Sequence, residues 1–263
     1  PPHISSIVPY HKNYKEAGSF EFFFTGICYI MRWKVLFVLR TEARLVKRWF
    51  VMRLRKKAWI SDAILELKDE YVILDNIETH KGHWQEMFAG KPLALEIGCG
   101  KGAFINGLAE LNPDKAYIGV ETQRDISYYP AKKAQEAGRT NVKIIAGNAA
   151  YLEEWFEPGE IKELYLNFSD PWPKARHAAR RLTHRGFLDI YKKLLGAGGH
   201  LRFKTDNRSL FDFSLEEFKE FGLEIIAVSY DLHHSDYDNP VMTEYERKFS
   251  ALGNPICFCE VVF

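Results

Sequence analysis

The chain is poor in cysteine and has no long apolar run. Four cysteines in 263 residues (Cys28, Cys99, Cys257 and Cys259) are too few for a disulfide framework and point to a reducing, cytoplasmic compartment. None forms a C-x-x-C pair, which argues against a zinc ribbon. The nine histidines, among them His80, His83, His233 and His234, have no cysteine or carboxylate spacing that completes a metal site. They are expected as loop or core residues, with no metal. A membrane-spanning helix needs about 20 consecutive apolar residues, whereas the run Phe22–Met31 stops at Arg32 and Lys34, so no membrane partner is expected. There is no surplus of one charge either. Thirty-six Lys and Arg face 35 Asp and Glu, so any nucleic acid must be gripped by a local basic cluster rather than by a globally cationic surface. An apolar fraction of 46% with 27% charged residues excludes a disordered or collagen-like chain.

The first 51 residues differ from the rest. They hold eight Lys and Arg against three Glu, and 11 of the 38 aromatics. Basic residues follow the apolar run Phe22–Met31 instead of preceding it, which does not suit a signal peptide. Residues 1–51 are therefore expected to be a non-native upstream extension with no assigned fold, and Met52 rather than Met31 is the expected start. From there M-R-L-R-K-K-A-W (Met52–Trp59) forms a basic arm, and Ser61 is placed to cap an amphipathic stretch over Asp62–Leu74. Residues 52–91 make up this arm and helix.

From Pro92 to the end, residues 92–263, apolar runs and helical spacings alternate. Strands are predicted at Leu93–Ile97, Ala116–Val120, Val142–Ala146, Leu164–Asn167, His200–Lys204, Leu223–Tyr230 and Pro255–Val262. Helices are predicted at Phe104–Leu111, Arg124–Ala137, Tyr151–Phe156, Arg185–Leu195 and Leu210–Phe221, with a short piece at Thr243–Leu252. Pro130 is expected to kink or break the second of these. Such alternation specifies an α/β, doubly wound, Rossmann-like fold with a mostly parallel sheet. A long irregular segment precedes the last strand, which is expected to be antiparallel.

The first strand ends in L-E-I-G-C-G-K-G (Leu95–Gly102), where ligands of doubly wound sheets bind. Gly98 and Gly100 let the backbone turn sharply beside a ligand. The spacing is G-x-G-x-G, not the G-x-G-x-x-G of dinucleotide binders. Glu96 would repel a pyrophosphate but suits an ammonium or sulfonium group. Glu121 ends the second strand, where an acid accepts hydrogen bonds from ribose hydroxyls. Asn148 follows the third strand and suits either an adenine edge or a plain helix cap. Together they describe S-adenosylmethionine better than a nicotinamide cofactor.

After the fourth strand comes N-F-S-D-P-W-P-K-A-R-H-A-A-R-R-L-T (Asn167–Thr183). The two prolines flanking Trp172 hold Asp170 in a rigid turn at the strand tip. Lys174, Arg176, Arg180, Arg181 and Arg185 then bring five positive charges within 12 residues. E-I-G-C-G-K-G, Y-I-G-V-E, N-F-S-D-P-W-P-K, F-K-T-D-N (Phe203–Asn207), D-L-H (Asp231–His233) and M-T-E-Y-E-x-K-F (Met242–Phe249) resemble the bacterial tRNA (guanine-N7-)-methyltransferases, of the class I S-adenosylmethionine-dependent superfamily. The resemblance runs from about Met52 to the C-terminus.

The resemblance implies methyl transfer from S-adenosylmethionine to N7 of a guanine in tRNA, at variable-loop position 46 of the standard scheme. It implies that Glu96, Gly98, Gly100, Glu121, Asn148 and Asp170 line the cofactor, and Asp170 is the candidate catalytic residue. It further implies that Lys174, Asp206, Thr243, Glu244, Tyr245 and Glu246 contact substrate, and that Arg176, His177, Arg180 and Arg181 track the RNA. Ala175, Ala178 and Ala179 stand where the family often carries lysine. One rival reading keeps the chemistry but uses a different substrate; another is a non-catalytic RNA-binding module.

Overall fold

Eight short apolar runs, most of them closed by a glycine or a polar residue, form one sheet. The computed structural model describes residues 58–263. Its strands are β1 Val72–Ile73, β2 Leu93–Ile97, β3 Ala116–Glu121, β4 Val142–Ala146, β5 Ile161–Asn167, β6 His200–Thr205, β7 Glu224–Ser229 and β8 Cys257–Val262. The helices are α1 Ile60–Ala63, α2 Trp84–Met87, α3 Ala103–Leu111, α4 Arg124–Glu136, α5 Leu152–Trp155, α6 Arg185–Leu195, α7 Arg208–Phe221 and α8 Glu244–Ser250. The expected extension at 1–51 and the arm up to residue 57 lie outside the described residues.

The strand order is β1-β4-β3-β2-β5-β6-β8-β7. The first six are parallel, with Glu96 of β2 beside Gly119 of β3 and Tyr165 of β5. The last strand is antiparallel, as expected, and it inserts between β6 and β7. From β2 the chain builds outward through β3 and β4, then returns to the opposite side with β5. The glycine loop after β2 therefore sits at the topological switch point, where the ends of adjacent strands leave a crevice.

Both faces of the sheet are covered, so most positions of the central strands are apolar. Leu93, Leu95 and Ile97 of β2 enter a core with Trp84, Phe156, Tyr191, Phe211 and Phe218. Ala94 faces the opposite core, with Phe104, Ile105 and Leu108 of α3 and Ala131 and Ala134 of α4. Side chains alternate along a strand, so Glu96 emerges on the α3–α4 side at the carboxyl end of β2.

The structure departs from two local expectations. The stretch Asp62–Leu74 does not form one helix. It breaks into α1, a 3-10 turn at Leu65–Leu67 and β1, and Ser61 caps nothing. Asp69 takes a left-handed turn (φ +65°), and the β-branched pair Val72–Ile73 joins the sheet edge opposite Ile144 and Ile145. Sheet pairing overrides a weak helical period there. Pro130 neither ends nor breaks α4. A proline inside a helix costs about 3 kcal/mol, but this ring is buried against the glycine loop. A Cβ on Gly102 would lie 2.3 Å from Pro130 Cβ. The Pro130 carbonyl also accepts a hydrogen bond from Asn106 Nδ2 at 3.1 Å.

Candidate active site

The glycines of the loop serve different ends. Gly98 and Gly100 have φ of +79° and +54°, and a Cβ on Gly98 would meet no atom within 4 Å. Glycine is needed there for backbone conformation, and the space above the loop is open. Gly102 is needed on both counts, with φ of +76° and close packing on Pro130. The loop is tied to β3: Gly98 N–H donates to the Val120 carbonyl at 2.7 Å. Gly100 N–H donates to Glu121 Oε2 at 3.1 Å, and Gln123 N–H donates to Glu121 Oε1 at 2.9 Å. Burial pushes the Glu121 carboxyl upward against these backbone donors. Each of its oxygens keeps a lone pair for a further donor.

Glu96 is 3% exposed. Its Oε1 accepts from Asn167 Nδ2 at 2.9 Å, whereas Oε2 is buried with no hydrogen-bond partner among the described residues. Burial pushes this carboxyl up to about 7, against the Asn167 hydrogen bond and the Lys204 charge. A buried acceptor with a free lone pair is costly unless a donor or cation arrives.

Two adjoining cavities open at this end of the sheet. The larger, about 710 Å³, is lined by Gly98, Glu121, Asn148, Asp170, Trp172 and Arg180, among others. The smaller, about 240 Å³, is lined by Glu96, Gly100, Lys101, Thr243, Glu244 and Tyr245. Gly98, Asn167 and Phe168 line both. Glu121 and Asp170 line the larger cavity and Glu96 the smaller, and the two meet at these three residues. Asn148 is a cap that also lines a cavity. Its side chain caps the turn at Ala149–Tyr151, accepting from Ala150 N–H at 3.0 Å, while lining the larger cavity.

Asp170 is exposed at the tip of a strained turn. Phe168 and Trp172 on either side of it have φ of +54° and +41°. A bulky residue in this region costs about 1–3 kcal/mol and persists only where surrounding contacts hold it. Phe168 N–H donates to the Lys204 carbonyl at 2.8 Å, and at Trp172 the contacts come from Arg181. Its Nε donates to the Pro171 carbonyl and its Nη2 to the Trp172 carbonyl, both at 3.1 Å. Hydrogen bonds from a charged donor contribute about 1.5–3 kcal/mol each, enough to hold the turn.

Comparison with known proteins decides the family. Residues 90–259 match the family described as "Putative methyltransferase". A curated tRNA (guanine-N(7)-)-methyltransferase of Bacillus subtilis (strain 168) is 47% identical over 211 residues, 80% of this chain and 98% of that one. One of Streptococcus pneumoniae (strain 70585) is 45% identical over 213 residues, 81% of this chain and all of that one. The chain belongs to the tRNA (guanine-N(7)-)-methyltransferase family. Solved structures add agreement on fold. An antibiotic-related methyltransferase covers 69% of this chain and 92% of its own at TM-score 0.51 and 19% identity. The 16S rRNA methyltransferase KamB covers 69% and 93% at 0.53 and 13%.

In this methyltransferase the expected substrate-binding residues separate into two groups. Thr243, Glu244 and Tyr245 line the smaller cavity. Tyr245 meets Phe168 at a tilt, with ring centroids 4.9 Å apart and 40° between the planes, and donates its hydroxyl to Asp206 Oδ2 at 2.9 Å. Glu244 accepts from Ala103 N–H at 3.3 Å, at the start of α3, and pairs with Lys133. Burial would raise its carboxyl, but Lys133 and the backbone donors hold it below the usual range.

Glu246 is different. It is fully buried and lines neither cavity. Lys204 Nζ lies 2.8 Å from its Oε2, Asn239 Nδ2 donates to its Oε1 at 2.8 Å, and it closes a capping box with Thr243. His233 Nε2 lies 3.3 Å from Oε1. The geometry makes Glu246 a structural clamp on α8 rather than a substrate ligand, because its acceptor sites are occupied inside the fold.

The basic segment Ala175–Arg180 is a 3-10 helix standing beside the larger cavity. Lys174 and Arg176 are exposed, and their side chains have no hydrogen-bond or ion-pair partner among the described residues. Arg180 lies over the Trp172 ring at 4.9 Å, and His177 meets that ring edge-on at 5.8 Å. Arg181 is turned inward and committed to the strained turn. Sequence reasoning missed Asn167, which orients Glu96, and Ser169, whose buried Oγ has no partner among the described residues and which lines the larger cavity. Both lie in the N-F-S-D motif, but that Asn167 reaches Glu96 depends on β5 lying beside β2.

Proposed function

We propose that this protein transfers a methyl group from S-adenosylmethionine to N7 of guanine in tRNA, at variable-loop position 46. The observation that carries the reading is the unpartnered Oε2 of Glu96 close to a cavity of about 710 Å³ lined by the Glu121 carboxylate. The larger cavity falls within the range of about 300–1,000 Å³ that small-molecule sites occupy. The donor set fits the cofactor: an orphan carboxylate oxygen for a cationic group, a carboxylate with spare lone pairs for vicinal hydroxyls, and the free amide N–H₂ of Asn148 for a base edge. When bound, S-adenosylmethionine supplies an electrophilic methyl group on a sulfonium.

The rest of the chemistry is done by the chain. Guanine N7 carries a lone pair and no proton, so no residue need remove one before transfer. Catalysis then rests on positioning and on charge. Asp170 serves as an orienter, accepting from the guanine N1–H and N2–H₂ edge at the cavity mouth. Its charge also favours the positive purine that methylation creates. Phe168 and Tyr245 provide an aromatic wall, and Asp206 fixes the Tyr245 ring through its hydroxyl. Lys174, Arg176 and Arg180 present charge, and His177 a ring nitrogen, to the RNA backbone on the same side as Asp170. Residues 92–263 carry the methyltransferase domain. The basic arm of residues 52–91 adds β1 to the sheet through its described part, and a cytoplasmic location goes with a tRNA substrate.

The test is a transfer assay with methyl-labelled cofactor and tRNA transcripts. Label enters wild-type tRNA and is lost when the guanine at position 46 is replaced by 7-deazaguanine, which has no N7 nucleophile. Undiminished labelling of that tRNA, or labelling of ribosomal RNA or protein in its place, would overturn the proposal.

A further inference from the structure

Arg181 belongs to the basic run that faces RNA in sequence, yet its guanidinium points into the protein. It is half-buried, with its carbon 4.2 Å above the Phe213 ring of α7. Its two hydrogen bonds end on consecutive carbonyls, those of Pro171 and Trp172. These carbonyls belong to the turn that carries Asp170, and Trp172 is held there at φ +41°. Neither proline flanking Trp172 has an N–H to donate, so the turn cannot close on itself through these residues. A rigid planar fork can hold both carbonyls at once, whereas a lysine amine is a point donor on a flexible stem.

We propose that Arg181 is a positioning residue. Through Phe213 it anchors the Pro171–Trp172 turn to α7, and so fixes where the Asp170 carboxylate stands at the mouth of the larger cavity. It therefore acts on turnover rather than on RNA affinity. This rests on the proposed methyl transfer to tRNA and adds a role that the charge run by itself does not suggest.

The experiment compares Arg181→Ala, Arg181→Lys, Phe213→Leu and Arg176→Ala. For the Arg181 variants, kcat at saturating tRNA falls about 30- to 100-fold, the scale of a misplacement of about 1 Å. The tRNA Kd stays within about twofold, and the slope of log K against log salt is unchanged. Arg176→Ala shows the reverse, a weaker Kd and a slope smaller by about one unit. Phe213→Leu keeps a core-sized side chain and lowers kcat several-fold at unchanged slope, so the proposal stays testable if Arg181→Ala does not fold. Hydrogen exchange of the 168–174 segment supplies a readout independent of substrate. It accelerates in Arg181→Ala, Arg181→Lys and Phe213→Leu, and not in Arg176→Ala. A loss of about one unit of salt slope in the Arg181 variants with kcat within twofold, or unchanged exchange in that segment, overturns the proposal. If wild-type enzyme methylates no tRNA while the exchange data hold, the functional reading fails and the anchoring role stands.

Discussion

Replacing Glu96 by glutamine should make the apoprotein's stability less dependent on pH while weakening cofactor binding. In the unfolded chain this carboxyl titrates near 4.5, and in the fold burial lifts it to about 7. Between these values the native state keeps a proton that the unfolded chain has released, so stability falls as pH rises through the window. The loss is absent below pH 4.5 and complete above pH 7. At about 1.4 kcal/mol per unit, the wild type loses roughly 3 kcal/mol that the variant does not. The gap between variant and wild type should therefore widen by about 2–3 kcal/mol from pH 5 to pH 8, or about 5–10 °C in Tm for a chain of this size. The comparison across pH cancels the constant cost of placing an amide beside Asn167. The same proton couples to ligand: a cation seated on Oε2 requires the carboxylate, so Kd for S-adenosylmethionine should weaken about tenfold per pH unit below 7. In the variant Kd should be weak and flat. Urea melts from pH 5 to 8, with calorimetry in buffers of different ionisation enthalpy, measure both. Parallel stability curves for the two proteins, or a wild-type Kd that does not change with pH, would refute the assignment.

Asp170→Asn removes the charge and leaves the exposed turn intact. It should melt within about 0.5 kcal/mol of wild type, as surface changes do, and lose at least about 100-fold in kcat; near-native turnover would exclude the orienting role. Gly102→Ala places a Cβ 2.3 Å from Pro130 at φ +76°, and strain plus overpacking should cost about 3–5 kcal/mol. Gly98→Ala, with open space around it, should cost about 1–2 kcal/mol, and urea melts showing the opposite ranking would exclude this account of the loop. Glu246→Gln strips the partner from buried Lys204 and should cost about 3–5 kcal/mol, with part of the loss recovered in a double variant carrying Lys204→Met. A Glu246→Gln protein with wild-type stability and a raised KM for tRNA would return Glu246 to the substrate site.

Most elements, and the chemistry at their ends, are written locally in the chain. β2, β4 and α6 run from Leu93, Val142 and Arg185 as read, because a short run of apolar residues stopped by glycine, or a helical period with a polar cap, is local information. The acids at Glu96, Glu121 and Asp170 are legible for the same reason, since each lies at or just beyond the carboxyl end of a strand that the alternation places. Tertiary structure alone decided what depends on neighbours distant in the chain. Val72–Ile73 became a strand because Ile144 lies beside it, and α4 kept Pro130 because Gly102 leaves room for the ring. Glu246 and Arg181 look like solvated charges in a motif. The first is buried by Lys204, Asn239 and His233, and the second is turned inward by Phe213 and two carbonyls. A charge run records how many charges there are; which way each one points is settled by the surfaces that pack around it.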